Sequence, residues 1–281
     1  MPHSKYISLI IIIFSLSIAV HAQDIPSFNV VRAGSGTQNV IFLAGLGTSD
    51  KVWDETMRSL CKTRSCYALS FSGFAGNAAQ DDPSMLRWEN DVVEFIKSNE
   101  IDSPTLIGHS FGGTLALKIA ADHPKIIQRL VIVDAFPSPG ALQNPNFKSR
   151  KNVDCSPYIK QFETMGDIQF LNYMRSMVSQ MVTQKAKVEK VLSWFVKSDR
   201  QTFGEIYCEL MNTDIRENLS SIVSPTLIML EPSFKSKETD VKAQYVSLNG
   251  AEFRFAPKGL HFLMYDDEDW FLETLKSFLD K

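Results

Sequence analysis

The chain has 281 residues, of which 44% are hydrophobic and 22% are charged, and its formal net charge is −3. This composition supplies ample material for a core, and the sequence contains no repeat or low-complexity tract. The slightly acidic balance and the lack of a basic stripe exclude a nucleic-acid partner, and no zinc-like cluster or phosphate-cradling glycine loop is present.

The first predicted element is a secretory signal peptide. Lys5 precedes an apolar stretch at residues 7–20, which is too short to span a bilayer. The stretch ends in Val-His-Ala at residues 20–22, and this triplet resembles a signal-peptidase site. We predict cleavage after Ala22, export to the periplasm or the extracellular space, and no stable membrane anchor afterwards. An uncleaved anchor is the alternative.

Export changes the interpretation of the four cysteines. An oxidising compartment permits disulfides, and four cysteines allow three pairings. Cys61 and Cys66 flank a short turn before a predicted strand at residues 67–71, whereas Cys155 and Cys208 lie much later in the chain. Local pairing, Cys61 with Cys66 and Cys155 with Cys208, is the simplest scheme.

The most informative motif is Gly-His-Ser-Phe-Gly-Gly at residues 108–113, between an apolar strand at residues 104–107 and a predicted helix at residues 114–121. A serine between small residues at such a junction is typical of a nucleophile elbow, in which the hydroxyl stands clear of the sheet. Ser110 is therefore the candidate nucleophile. The competing interpretation is a glycine-rich turn without catalytic duty.

A long segment then interrupts the alternation of strands and helices. After a predicted strand at residues 129–134, residues 137–219 contain no convincing strand. Helical patterns occur at residues 158–163, 168–182, 188–197 and 203–212. We interpret residues 137–219 as a cap inserted between two parts of a core, residues 23–136 and residues 220–281. Ordinary surface helices are the alternative. If the segment is a cap, its aromatic residues, such as Trp194, should influence substrate selectivity.

His261 is the candidate base by elimination among five histidines. His3 and His21 lie in the predicted signal peptide, His109 adjoins Ser110 with its side chain expected to point elsewhere, and His123 ends a helix. His261 lies in a loop between a strand-like segment at residues 251–255 and a final amphipathic helix at residues 270–279. A histidine on a late loop can reach an elbow serine.

The apolar runs at residues 40–43, 106–107, 130–133 and 227–230 alternate with helix-length patterns. This alternation predicts buried parallel strands joined by crossover helices, and therefore an open α/β sheet. Ligands bind such sheets beyond the carboxyl ends of the strands.

With these motifs in place, the chain resembles the α/β-hydrolase superfamily of esterases, lipases and C–C hydrolases over roughly residues 28–278. Residues 40–47 are similar to its third strand and following loop, residues 129–134 to its sixth strand, and residues 224–230 to the approach to its seventh. The resemblance implies an α/β fold with a mostly parallel open sheet, and a helical cap inserted after the sixth strand.

The catalytic acid departs from the family's pattern. Relatives usually carry an aspartate about nine residues after the proline that opens the seventh strand, where this chain has Phe234. The resemblance leaves two main substitutes: Asp134, at the end of the sixth strand, and Glu231, at the end of the seventh. Certain haloalkane dehalogenases carry the acid after the sixth strand, which favours Asp134. Asp240 is a distant third.

The resemblance also implies an oxyanion hole formed by the backbone N–H groups of Leu46 and Phe111. We expect a secreted serine hydrolase that cleaves small or medium carboxylic esters, without a metal or organic cofactor. The alternatives are C–C bond hydrolysis, lactone opening or acyl transfer on the same fold, and a catalytically weakened binding protein. The expected partner is a small-molecule ester, and the sequence does not indicate the oligomeric state.

Overall fold

A computed structural model describes residues 25–281 of the chain. The predicted signal peptide, residues 1–22, lies outside the described residues. Within the described range, every helix is too short or too polar to cross a lipid bilayer.

Seven strands form one sheet in the order β1-β3-β2-β4-β5-β6-β7. They are β1 (Phe28–Ala33), β2 (Gln38–Leu43), β3 (Arg64–Phe71), β4 (Thr105–His109), β5 (Arg129–Val133), β6 (Thr226–Leu230) and β7 (Glu252–Phe255). β1 pairs with β3 in the antiparallel sense, and every other neighbouring pair is parallel. The predicted mostly parallel open sheet is confirmed.

The strand count differs from the count that the resemblance implied. The strand before the long helical segment is β5, the fifth of the described strands and not the sixth. One strand, β1, precedes the strand that contains Val40, where the family's count places two. β1 itself was not predicted, because its residues alternate between half-buried and exposed at the edge of the sheet and form no apolar run.

Ten α-helices surround the sheet in the described range. They are α1 (Asp54–Leu60), α2 (Met85–Ser98), α3 (Phe111–Asp122), α4 (Ser156–Glu163), α5 (Asp167–Val178), α6 (Lys185–Lys197), α7 (Arg200–Asn212), α8 (Glu238–Gln244), α9 (Leu263–Asp266) and α10 (Glu268–Leu279). Four of them, α4 to α7, lie between β5 and β6 in the chain. We call residues 137–219 the helical insert.

A cluster of aromatic rings packs α2 and α3 on the sheet. Ser84 caps α2 by accepting a hydrogen bond from the backbone N–H of Arg87. Along α2 the buried residues recur at three- and four-residue intervals, as an amphipathic helix requires. The Trp88 ring stacks on Phe71 with their centroids 4.8 Å apart, and Phe111 packs against both rings. These contacts fix the start of α3 relative to the sheet.

The four cysteines form two disulfides, in the local pairing that the sequence predicts. Cys61 and Cys66 bridge the end of α1 to β3, and Cys155 and Cys208 bridge the start of α4 to α7. The second bridge lies wholly within the helical insert and closes a segment with a sequence separation of 53 residues. In the chain-entropy model a loop of this length contributes about 4 kcal/mol to stability.

Candidate active site

Ser110 occupies the junction between β4 and α3 with a backbone conformation that few residues adopt, at φ 54° and ψ −124°. Its N–H donates to the carbonyl of Val133 over 2.9 Å, which ties the junction to β5. A Cβ atom at Gly108 would lie 2.2 Å from the carbonyl oxygen of Gly112, and one at Gly112 would lie 2.4 Å from that of Leu43. The motif needs glycine on both sides because the backbone segments touch there.

His261 and Asp134 form the central polar contact of the site. The Nδ1 atom of His261 lies 2.6 Å from Oδ2 of Asp134, whose other oxygen accepts the N–H of Glu231 over 2.8 Å. An ionised carboxylate can only accept hydrogen bonds, so a hydrogen bond between these two groups places the proton on Nδ1 of His261. This tautomer leaves a lone pair on Nε2 of His261, the arrangement that a general base requires.

Glu231 reaches the same region in a different way. Its backbone N–H orients Asp134, while its carboxylate accepts the hydroxyl of Ser233. Burial raises the pKa of the Glu231 carboxyl, and the neighbouring charge of Asp134 raises it further. Among the described residues, the Glu231 carboxylate makes no hydrogen bond to His261. Asp240 is exposed on α8.

The loop after β2 lies beside the elbow. Thr48 closes this loop, with its N–H and its hydroxyl both donating to the carbonyl of Gly45 at 3.1 and 2.8 Å. A Cβ atom at Gly45 would lie 3.3 Å from Cβ of Ser110, so a side chain there would crowd the elbow. Leu46 lines the same cavity as Ser110. Phe111 is the first residue of α3, where helix N–H groups lack partners within the helix.

Ser110 and His261 line one cavity of about 120 Å³ between the sheet edge and the helical insert. The insert contributes six side chains to its wall, namely Met177, Met181, Phe195, Phe203, Tyr207 and Leu210. No Asp, Glu, Lys or Arg side chain lines it among the described residues. Trp194, which we expected to affect selectivity, does not line this cavity. It is buried on α6 beside Lys190.

His109 is the site residue that sequence reasoning missed. We expected its side chain to point away from the site, but the ring lies 4.6 Å from that of His261, measured between centroids, and lines the cavity. Its Nε2 atom donates to the backbone carbonyl of His261 over 3.0 Å. Burial, and then the neighbouring His261, hold the pKa of His109 well below its ordinary value. The sequence does not indicate where the His109 side chain points, because its orientation depends on the backbone conformation at the junction with Ser110.

Among residues 25–281, no group of three His, Cys, Asp or Glu side chains is arranged to hold a metal ion. That the reaction needs no cofactor stays a prediction. Four larger cavities in the described range, of about 440, 320, 230 and 770 Å³, contain neither Ser110 nor His261 in their walls.

The chain is similar to several known proteins. A family profile described as the alpha/beta hydrolase fold matches residues 38–154. The chain is 26% identical over 209 residues to a pimeloyl-[acyl-carrier protein] methyl ester esterase from Wigglesworthia glossinidia brevipalpis, covering 69% of this chain and 74% of the relative.

Two solved structures share the fold. One is the enol-lactonase from Burkholderia xenovorans LB400, with a TM-score of 0.74 and 16% identity over 90% of this chain and 96% of the other. The other is an esterase from Exiguobacterium antarcticum, with a TM-score of 0.74 and 19% identity over the same shares of the two chains. At these identities the likeness concerns the fold alone.

Proposed function

The chain belongs to the α/β-hydrolase superfamily and is a hydrolase of that family, and on this premise we propose that it cleaves small or medium carboxylic esters through an acyl-enzyme on Ser110. The observation that carries the proposal is the 2.6 Å contact between His261 Nδ1 and Asp134, with His261 and Ser110 in the wall of one cavity. Asp134 is thus the favoured acid and Glu231 the alternative.

In the proposed reaction, Oγ of Ser110 attacks the carbonyl carbon of the ester while Nε2 of His261 accepts the hydroxyl proton. The backbone N–H groups of Leu46 and Phe111 stabilise the oxyanion of the tetrahedral intermediate. When the C–O bond to the alcohol breaks, the imidazolium returns its proton to the leaving oxygen. Water then attacks the acyl-enzyme by the same route, and the carboxylic acid and the free serine hydroxyl are regenerated.

Asp134 supports this cycle in two ways. Its carboxylate keeps the proton of neutral His261 on Nδ1, and it stabilises the imidazolium that forms in each half-reaction. The N–H of Glu231 holds the second carboxylate oxygen, so that the acid keeps its orientation when the charge on His261 changes.

The cavity supports an uncharged acyl group of limited size. Its walls are mainly apolar, it encloses about 120 Å³, and it lacks a cationic partner for a carboxylate among the described residues. Transfer of an unpaired charge into such surroundings is strongly unfavourable. We therefore propose that short, neutral acyl chains are preferred over long or anionic ones.

A panel of p-nitrophenyl esters of increasing acyl length tests the proposal. We expect kcat/KM to be highest for short or medium chains, and p-nitrophenyl butyrate to react much faster than mono-p-nitrophenyl succinate, which places a carboxylate in the cavity. Failure to hydrolyse any ester would contradict the proposal, as would a preference for the anionic substrate. Product analysis with a lactone and a C–C substrate would detect the alternative chemistries.

We also propose that the protein is exported. The hydrophobic N-terminal segment with its site at Ala22 supports this, as do two disulfides in a chain with four cysteines. N-terminal sequencing of the protein recovered outside the cytoplasm should begin at Gln23. Recovery of the uncut chain in the membrane fraction would favour the uncleaved anchor.

A further inference from the structure

The backbone around His261 is held at three consecutive residues. The N–H of Leu260 donates to Oδ2 of Asp266 over 3.0 Å, the carbonyl of His261 accepts from His109, and the N–H of Phe262 donates to the carbonyl of Met181 over 3.2 Å. Two of these three partners lie outside the sheet. The position of the candidate base therefore depends on contacts beyond the Asp134 hydrogen bond.

Asp266 joins two parts of the molecule through one carboxylate. Besides the N–H of Leu260, it accepts the backbone N–H of Thr183 at 3.0 and 3.1 Å and the Thr183 hydroxyl at 2.7 Å. Thr183 belongs to the helical insert, and Leu260 directly precedes His261. The same carboxylate thus binds the helical insert and the loop that contains His261.

The surrounding chain leaves this loop little freedom. Gly259 has φ 98°, and a Cβ atom there would lie 2.8 Å from Cβ of Asp266. The loop before His261 therefore packs directly against Asp266. The side chain of Gln184 donates to the carbonyl of Tyr265, which adds a second contact between the insert and the histidine loop. A shift of residues 181–184 would consequently move the backbone on both sides of His261.

We propose that Asp266 is a positioning residue: it sets the orientation of His261 through Leu260 and makes that orientation depend on the docked helical insert. The inference rests on the proposed role of His261 as the base. Misplacement of a reacting group by about 1 Å can cost about a hundredfold in rate. The insert therefore does more than line the cavity, because the base is aligned only while residue 183 is in place.

Asp266→Asn is the direct test. The amide retains the size of the side chain, but its nitrogen cannot accept a hydrogen bond, so the N–H groups of Leu260 and Thr183 and the Thr183 hydroxyl are left with one acceptor oxygen where the carboxylate offered two. We expect kcat for p-nitrophenyl acetate to fall at least about tenfold while KM changes by less than about twofold, the signature of an effect on the chemical step. The downfield proton NMR signal of His261 Nδ1–H should also broaden or disappear.

Glu209→Gln is the matched control. The Glu209 carboxylate also joins the insert to the core, by accepting the N–H of Met85 over 2.6 Å, but it touches no residue of the histidine loop. This variant should keep kcat and the NMR signal. An equal loss in both variants would overturn the proposal and indicate general loosening of the insert, and so would an Asp266→Asn protein with unchanged kcat and signal.

Thr183→Val tests the same link if Asp266→Asn does not fold. Thr183 is exposed, and the change removes only the hydroxyl donor, so folding should survive. We expect a loss of at least about threefold in kcat together with a weakened Nδ1–H signal. Wild-type behaviour in this variant would contradict the coupling. Because the NMR signal does not require turnover, it reports on Asp266 even if the protein proves not to be an esterase.

Discussion

Asp134 adopts a left-handed backbone conformation, with φ 47°, immediately after β5. Aspartate and asparagine tolerate this region better than most residues. Replacing Asp134 with asparagine therefore tests the carboxylate with little added backbone strain. The N–H of Glu231 donates to Oδ1 of Asp134, so the amide of an asparagine at this position should turn its oxygen toward Glu231.

The Asp134→Asn variant should lose about 10⁴-fold in kcat on a p-nitrophenyl ester. With the amide oxygen facing Glu231, the amide nitrogen faces Nδ1 of His261, which must then present its lone pair. The proton moves to Nε2, and His261 can no longer accept a proton from Ser110. Activity should recover in part at high pH, where hydroxide bypasses the base.

The control for this prediction is Glu231→Gln, which keeps the backbone N–H that orients Asp134. We expect it to cost less than about tenfold, or 1.4 kcal/mol of barrier. If Glu231→Gln is the variant that loses activity, the acid is the residue that follows β6, and the order of candidates is wrong. If neither variant loses tenfold, His261 functions without a dedicated carboxylate.

The lowered pKa of His109 should make the stability of the protein depend on pH. Its folded-state pKa is lowered by burial, so below about pH 6.5 the unfolded chain binds a proton that the native state does not. The free energy of unfolding therefore falls as the pH drops below the unfolded-state pKa, by up to about 1.4 kcal/mol per pH unit.

We expect the His109→Gln variant, which retains an N–H donor for the carbonyl of His261, to lack this contribution. Urea unfolding of both proteins between about pH 7 and pH 5 measures the difference in their free energies of unfolding. The wild type should lose stability relative to the variant as the pH falls. A difference independent of pH would show that His109 is protonated in the native protein or does not titrate in the unfolded one.

The sequence identified Ser110 and His261 as candidates from local context and elimination, but it left the acid open. Asp134 and Glu231 end adjacent parallel strands, so the expected topology brings both near His261. Only the orientation of each side chain separates them: Asp134 contacts Nδ1, whereas Glu231 turns to Ser233. Such orientations depend on backbone angles that residue types do not specify.

At the scale of elements, the helical insert determines the shape of the cavity. Its helices α5, α6 and α7 all contribute to the wall. α7 also packs on the loop after β2, because a Cβ atom at Gly47 would lie 2.9 Å from the ring of Phe203. That the insert acts as a separable cap, with boundaries at residues 137 and 219, stays a prediction.

Met177→Ala should widen the cavity and shift selectivity toward longer acyl chains. The side chain lines the cavity from α5 and is half-buried, so its truncation should cost less stability than that of a core residue. We expect the ratio of kcat/KM for octanoate to that for acetate, as p-nitrophenyl esters, to rise by about threefold or more.

Leu171→Ala provides the comparison, since Leu171 is on the same helix and half-buried but does not line the cavity. Its selectivity ratio should match that of the wild type. Equal changes in the two variants would mean that truncation loosens α5 generally, and that the insert does not select the acyl chain through Met177.

Helices and strands with a clear apolar periodicity were predicted well, whereas the edge strand β1 was not predicted. The predicted helix at residues 203–212 lies within α7 (Arg200–Asn212), and the predicted final helix lies within α10. The errors are mainly at helix starts, where polar first-turn residues carry no apolar period. β1 escaped detection because its only partner is β3 and much of its surface is exposed.

For the whole molecule, the composition, the parallel sheet and the family follow from the sequence, while the substrate does not. A cavity wall assembled from a strand end, three loops, a helix start and three helices of the insert has no contiguous sequence signature. Its volume and lack of charge appear only when these elements are packed together. The proposed export, by contrast, rests on the N-terminal sequence, which lies outside the described residues, and on the two disulfides.

In the proposed mechanism, Ser110 is a nucleophile activated by His261. Intact-mass spectrometry after incubation with a fluorophosphonate probe tests it most directly, with Ser110→Ala and His261→Ala proteins alongside. We expect one adduct per wild-type chain, located on the peptide that contains Ser110. We also expect no adduct in Ser110→Ala and a greatly slowed reaction in His261→Ala. An unlabelled wild-type protein, or an adduct that persists in Ser110→Ala, would contradict it.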